Sequence, residues 1–162
     1  MYELSRSSDA DLALSALVIL VKDNPADGTS RLSTFLAGYE GNDQHIAFQT
    51  LLAKLMEIRD QRALPGLKSL SSSRFPTIRL GSVVALRGMK APQAASTLAK
   101  RLDDSDSDIQ FQAVLALAEI YGKTGEFHPT TPLFNSNPQH YTDLWKDWLQ
   151  DSGTNATMST PK

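Results

Sequence analysis

The residues best spaced for chemistry are three alternating aspartates, Asp104, Asp106 and Asp108, just ahead of an apolar run. Alternating carboxylates open a calcium-binding loop, whose sixth place must be glycine for a sharp turn and whose twelfth must be an acidic ligand. Counted from Asp104, those places hold Ile109 and Leu115, so the turn and the closing ligand are both missing. The aspartates fit a helix start instead. Asp106 stands where a side chain caps free backbone N–H groups, and Asp108 falls in the first turn, where the helix dipole favours negative charge. His140 and Asp143 lie one helical turn apart, a two-ligand pair on what should be a solvated face, so no metal is expected there. The chain has no cysteine, which excludes disulfides, a thiolate nucleophile and thiolate metal sites. It has no Gly-x-Ser-x-Gly, no His-Glu-x-x-His and no glycine-rich phosphate loop. With no nucleophile, base and acid legible together, the expectation is a chain that is not an enzyme and carries no cofactor.

Composition narrows the partners. The 162 residues are 41% hydrophobic, and 16 Lys and Arg stand against 18 Asp and Glu, which suits one soluble domain with a real core. The basic residues are dispersed without interleaved aromatics, so nucleic acid is not an expected partner; only Arg79, Arg87, Lys90 and Lys100 have the chance to gather in space. No apolar run is long enough for a membrane span, and residues 1–6 lack the basic start of a signal peptide. The expected location is cytoplasmic, although a leader removed beforehand would leave the same sequence. The triplet Asn155-Ala156-Thr157 matches a glycosylation acceptor, which has meaning only in a secretory context.

These scattered groups must be held by helices, and the helices repeat. The stretch Ile78-Arg79-Leu80-Gly81-Ser82-Val83-Val84-Ala85-Leu86 recurs as Ile109-Gln110-Phe111-Gln112-Ala113-Val114-Leu115-Ala116-Leu117 after a shift of 31 positions. The shift sets Ile on Ile, Val83 on Val114, Ala85 on Ala116 and Leu86 on Leu117, and a fixed period of this size marks a repeat architecture. In the second copy Ile109, Ala113, Ala116, Leu117 and Ile120 form one apolar stripe at helical spacing. Pro76 takes the early-helix place in the first copy, where its missing N–H does little harm. A shorter apolar stretch precedes each copy, so the unit is a helix pair.

Two sets of residues carry a family resemblance. Arg62-Ala63-Leu64-Pro65-Gly66-Leu67 followed by Phe75-Pro76-Thr77-Ile78-Arg79 is one; Leu102 to Ile109, with its aspartates, followed by Ala113-Val114-Leu115-Ala116-Leu117 is the other. Both resemble bacterial HEAT repeats, and more narrowly the short kind also found in phycobilisome-lyase-like proteins. The likeness is good over 60–122 and weak over 29–58. It implies an all-α fold, a right-handed α-solenoid of about three HEAT-like helix pairs with an N-terminal helix and a C-terminal capping helix. It also implies a protein or peptide partner and a binding or scaffold role. The alternative that the narrower likeness implies is a bilin-lyase-like enzyme or a partner subunit of one.

In chain order, the solenoid is expected over 1–122, with a first helix at 9–21 and helix pairs at about 29–58, 61–90 and 92–122. Asn24-Pro25-Ala26-Asp27-Gly28 should break the chain between the first helix and the first pair. Residues 123–150 should hold an extended surface connection and then a capping helix begun by Asn137-Pro138. The Ser-, Thr-, Gly- and Asn-rich stretch 151–162 should be a disordered tail.

Three groups of site residues follow. Leu52, Val84 and Leu115 stand six places after the leading Ile of each second helix, and Phe48, Leu80 and Phe111 make a parallel row one turn earlier. Stacking aligns these rows into an apolar strip, which is either repeat-to-repeat core or a groove for a helix or extended peptide. The resemblance implies an inter-repeat pair between Arg79 and Asp104, in a ladder left incomplete by Ser73 and Gln110. Finally, Trp145 and Trp148, with Tyr141, Leu144 and Leu149, offer the apolar face of a structural cap, with Phe127 or Phe134 in the corner.

Overall fold

A computed structural model describes residues 2–44 and 46–158, and among these residues every regular element is helical. In chain order they are α1 (Tyr2–Asp23), α2 (Pro25–Gly38), α3 (Ile46–Glu57), α4 (Leu64–Leu70), α5 (Pro76–Met89), α6 (Ala95–Ala99), α7 (Ser107–Tyr121), α8 (Thr131–Ser136) and α9 (Pro138–Met158). Short 3-10 turns lead into α4 and α6, join α6 to α7 and follow α7. Helices α3, α5 and α7 pack side by side in succession; α2 and α4 form a second layer, and α1 lies against both α2 and α3.

Local chemistry explains the helix ends. The Asp106 carboxylate accepts the N–H groups of Asp108 at 2.9 Å and Ile109 at 3.4 Å, which starts α7. That helix stops at Gly122, whose φ of 64° is the left-handed conformation that costs glycine least. Proline opens α5 as expected, with Phe75 extended before it.

Small residues set the spacing between helices. A Cβ on Gly66 would collide with Thr29, so α4 lies close on α2, and a Cβ on Gly28 would stand 2.6 Å from the Val21 backbone. The core runs unbroken from Leu14 and Val21 through Phe48, Leu55, Ile78, Leu86 and Ile109 to Phe134 and Trp145.

Several boundaries depart from expectation. Helix α1 is longer than 9–21, and Asn24-Pro25 starts a helix where a break was expected. The Asn24 side chain accepts the Asp27 N–H and Pro25 occupies the first turn, the same device that Asn137-Pro138 uses for α9. The pair at 29–58 therefore begins at Pro25, and its second helix begins at Ile46. The connection at 123–137 is not extended throughout: it contains α8, begun by Thr131-Pro132, and it buries Phe134 completely. Helix α9 runs on to Met158, past the expected start of a tail at Asp151. No proline interrupts 151–158, so the low helix propensity of that stretch meets no steric stop. Residues 159–162 of the expected tail lie outside the described residues.

Candidate functional site

The second-helix rows divide into three parts. Phe48 is fully buried, its ring 5.8 Å from Tyr39 and 5.0 Å from Phe75, and Leu115 is only 5% exposed, so both belong to the core. Phe111 is half-buried beneath Phe134 of α8, ring centres 5.0 Å apart. The chain itself thus covers the C-terminal end of the strip. Leu52, Leu80 and Val84 remain half-buried on α3 and α5. Leu52 reaches across to α5, its Cδ1 3.3 Å from where a Cβ on Gly81 would sit, so glycine there lets the two helices meet under the patch.

Polar groups border these three residues. On one side Arg59 lies over Gly88, where a Cβ would come within 2.5 Å of the guanidinium carbon. Its Nη1 donates to the carbonyls of Met56 and Ile58 at 2.8 and 2.7 Å, and among the described residues it has no carboxylate partner. On the other side Arg87 donates through Nε and Nη2 to Glu119 Oε1 at 2.8 and 2.6 Å and through Nη1 to Gln112 Oε1 at 2.9 Å. His128 Nε2 stands 3.9 Å from the same Glu119 oxygen. This bridge from α5 to α7 was not anticipated from the sequence; the signal for it was a separation of 32 residues, about one repeat.

Arg79 and Asp104 meet as a fork, Nε to Oδ2 at 2.9 Å and Nη2 to Oδ1 at 2.8 Å, with both residues buried. The pair is well supported: Arg79 Nη1 donates to the carbonyls of Ser73 and Arg74, while Asp104 also accepts from Arg101 and from the Asp106 N–H. Gln110 donates to the Asp104 carbonyl at 2.8 Å. The places held by Ser73 and Gln110 thus join the network, one through its backbone and one through an amide. Bidentate pairing and full hydrogen bonding are what make a buried charge pair tolerable. With Asp104 turned inward and Asp106 on the helix start, the alternating aspartates do not converge on a point.

At the C-terminal end Trp145 is fully buried and donates its Nε1 to the Phe127 carbonyl at 3.2 Å. Tyr121, Phe127 and Trp148 surround it, with ring centres 6.0, 5.0 and 5.5 Å away. Lys123 Nζ sits 4.7 Å above the Trp148 ring. Lys146 bridges to Asp103 at 2.6 Å and lies 3.6 Å from Asp143; the hydrogen bond to Asp103 holds its pKa above the usual lysine value. Asp143 also accepts from Gln139 at 2.7 Å, whereas the His140 ring stands edge-on to Tyr141.

Two layers of helices, each packed chiefly on the helices beside it, define a helical-repeat protein. A family model of HEAT repeats matches residues 32–118, more than half of the chain, and the chain belongs to the HEAT-repeat family. No curated protein and no solved structure matches it. HEAT repeats generally serve protein–protein interaction or scaffolding. Among the described residues no helix is long and apolar enough to cross a membrane.

Proposed function

We propose that this chain is an interaction or scaffold module, a right-handed α-solenoid of HEAT-like helix pairs with α9 as its C-terminal cap, that binds a protein or peptide and catalyses no reaction. The observation that supports this reading is the half-buried patch of Leu52, Leu80 and Val84 on neighbouring second helices, with Arg59, which has no carboxylate partner among the described residues, at its border. A segment with two or three apolar side chains and one acidic group fits that arrangement, because apolar anchors supply affinity and a rim charge supplies orientation. Leu80→Asp with Val84→Asp tests it. Both side chains are partly solvated, so the double variant should keep its fold and lose at least tenfold in affinity for partners that the wild-type chain captures. Undiminished capture by the variant would remove the patch from the function. A tetrapyrrole chromophore copurifying with the chain would instead favour the bilin-lyase-like alternative.

A further inference from the structure

The patch of Leu52, Leu80 and Val84 belongs to a groove that has a direction. Leu52 Cδ1 lies 3.3 Å from where a Cβ on Gly81 would sit, and the Arg59 guanidinium carbon lies 2.5 Å from one on Gly88. Both contacts join residues the same distance apart in sequence, so α3 and α5 run side by side in one direction. Helix α7 continues it: Arg79 near the start of α5 meets Asp104 ahead of α7, and Arg87 near the end of α5 meets Glu119 near the end of α7. Helices α3, α5 and α7 thus begin at one rim of the groove and end at the other. Leu80, Val84 and Gly88 follow one another at single-turn spacing along α5, as do Leu52 and the 38% exposed Met56 along α3. From Thr77 to Gly88 the groove runs about 16 Å, roughly three helical turns.

The two rims differ in charge. Where the helices begin, Asp43 accepts from Thr77 at 3.3 Å and Asp106 caps α7. Asp108 takes in α7 the place that Thr77 takes in α5, and its carboxylate has no partner among the described residues. Arg74 is at this rim too, but its guanidinium lies on the Phe75 ring and donates to the carbonyls of Tyr39 and Gly41. Where the helices end, Arg59 has no carboxylate partner among the described residues and the exposed Lys90 closes α5. The other cations there, Arg87 with Glu119 and Lys54 with Glu57, are neutral pairs. One rim is therefore net acidic and the other net basic.

We propose that the groove takes an amphipathic helix of a partner protein, about three turns long, lying antiparallel to α5. This occupant rests on the reading that Leu52, Leu80 and Val84 form the binding face. Helices favour acidic residues in their first turn and basic residues in their last, because both offset the macrodipole. Antiparallel placement sets the acidic first turn of such a helix beside Arg59 and Lys90 and its basic last turn beside Asp43 and Asp108. Parallel placement sets like charge on like at both rims, which the complementarity of interfaces disfavours. Apolar side chains of the occupant, spaced three or four residues apart, then meet the strip between the rims.

Selection from a displayed library of random peptides, each roughly four helical turns long, tests the proposal with the full chain as bait. Enriched peptides should carry apolar residues at helical spacing, an acidic residue on their N-terminal side and a basic one on their C-terminal side. One such peptide should bind at least about fivefold more tightly than its isomer with the end charges exchanged, and about 1 M salt should shrink that ratio. Arg59→Glu should abolish the preference and Arg59→Lys should keep it, both with the circular dichroism of the wild type. A nitroxide on the N-terminus of the peptide should broaden the Gly88 amide resonance more than that of Thr77. Peptides that are lost on Leu80→Asp with Val84→Asp, yet show no charge order, the reverse order, apolar residues at every second place or stronger broadening at Thr77, overturn this occupant and leave the patch a binding face. No enrichment, or enrichment indifferent to that double variant, overturns both.

Discussion

The two ends of this helical array treat their apolar residues oppositely. At the C-terminal end α8 and α9 fold back over α7, burying Phe134 and Trp145 completely and satisfying the indole N–H on the Phe127 carbonyl. At the N-terminal end α1 buries one face and leaves Leu12 and Ile19 in solvent. The contrast lies in how the apolar residues are arranged around each helix. Along α9 the apolar residues Tyr141, Leu144, Trp145, Trp148 and Leu149 share one side, so a single neighbour accommodates them. Along α1 they surround the axis, so a helix with neighbours on one side only must expose some of them. How many neighbours a helix has decides what its hydrophobicity does.

The largest effect should come from the covered end. Trp145→Ala removes a fully buried indole from a cluster of four aromatic rings and should cost roughly 3 to 5 kcal/mol. In a chain of this length that lowers Tm by at least about 6 °C. A drop of only a degree or two in thermal denaturation would mean that α9 contributes little, and the contrast between the ends would collapse. Ile19→Asp is the matching substitution at the open end, and its cost should stay within about 0.5 kcal/mol.

Between the ends, Asp104→Ala leaves the Arg79 guanidinium buried without its carboxylate and should cost about 3 kcal/mol. Arg79→Met with Asp104→Leu should recover much of that loss, because an apolar pair needs no compensation. Denaturant titration of the single and double variants distinguishes a paired charge from simple packing.

The smallest effect concerns Lys146. Its pKa is raised by the hydrogen bond to Asp103, so its contribution is fully present below the ordinary lysine value of 10.5 and is lost as pH climbs through the higher folded value. The side chain is 36% exposed, so solvent screening keeps the contribution below about 1 kcal/mol. Lys146→Met should therefore be less stable than wild type at neutral pH and lose less stability above pH 10.5. Parallel pH profiles for the two chains would show that the bridge to Asp103 adds nothing to the covered end.

What the sequence disclosed follows from the range of each interaction. The repeat shift of 31, the Asp106 cap and the proline at the head of α5 are local signals, legible within a few residues. The resemblance to HEAT repeats placed Arg79 opposite Asp104, which periodicity alone would not have done. The turn-forming residues after Asn24-Pro25 suggest a break, whereas the dipeptide itself, an Asn cap ahead of a first-turn proline, does what Asn137-Pro138 does and starts a helix. The cover over Phe111 comes from Phe134, 23 residues further on and across a turn, and no local pattern announces it. The apolar character of α1 was plain from the sequence, whereas which of its residues would face solvent depended on how many helices lay beside it.

The Arg79–Asp104 fork also bears on the order in which the fold opens. In a row of repeats, stability is close to a sum of unit terms and nearest-neighbour couplings. The fork joins α5 to the turn ahead of α7, and Arg87 adds a second polar bridge between α5 and α7. Between α3 and α5 the described residues show no such ion pair; Thr77 meets Asp43 at 3.3 Å, and Arg74 donates to the carbonyls of Tyr39 and Gly41. The polar links of the row are therefore gathered in its C-terminal half, and the N-terminal side, where α1 packs only on α2 and α3, should fray first. Backbone amides of α1 and α2 should exchange with deuterium through partial openings, while those at the centres of α5 and α7 exchange only when the whole chain unfolds.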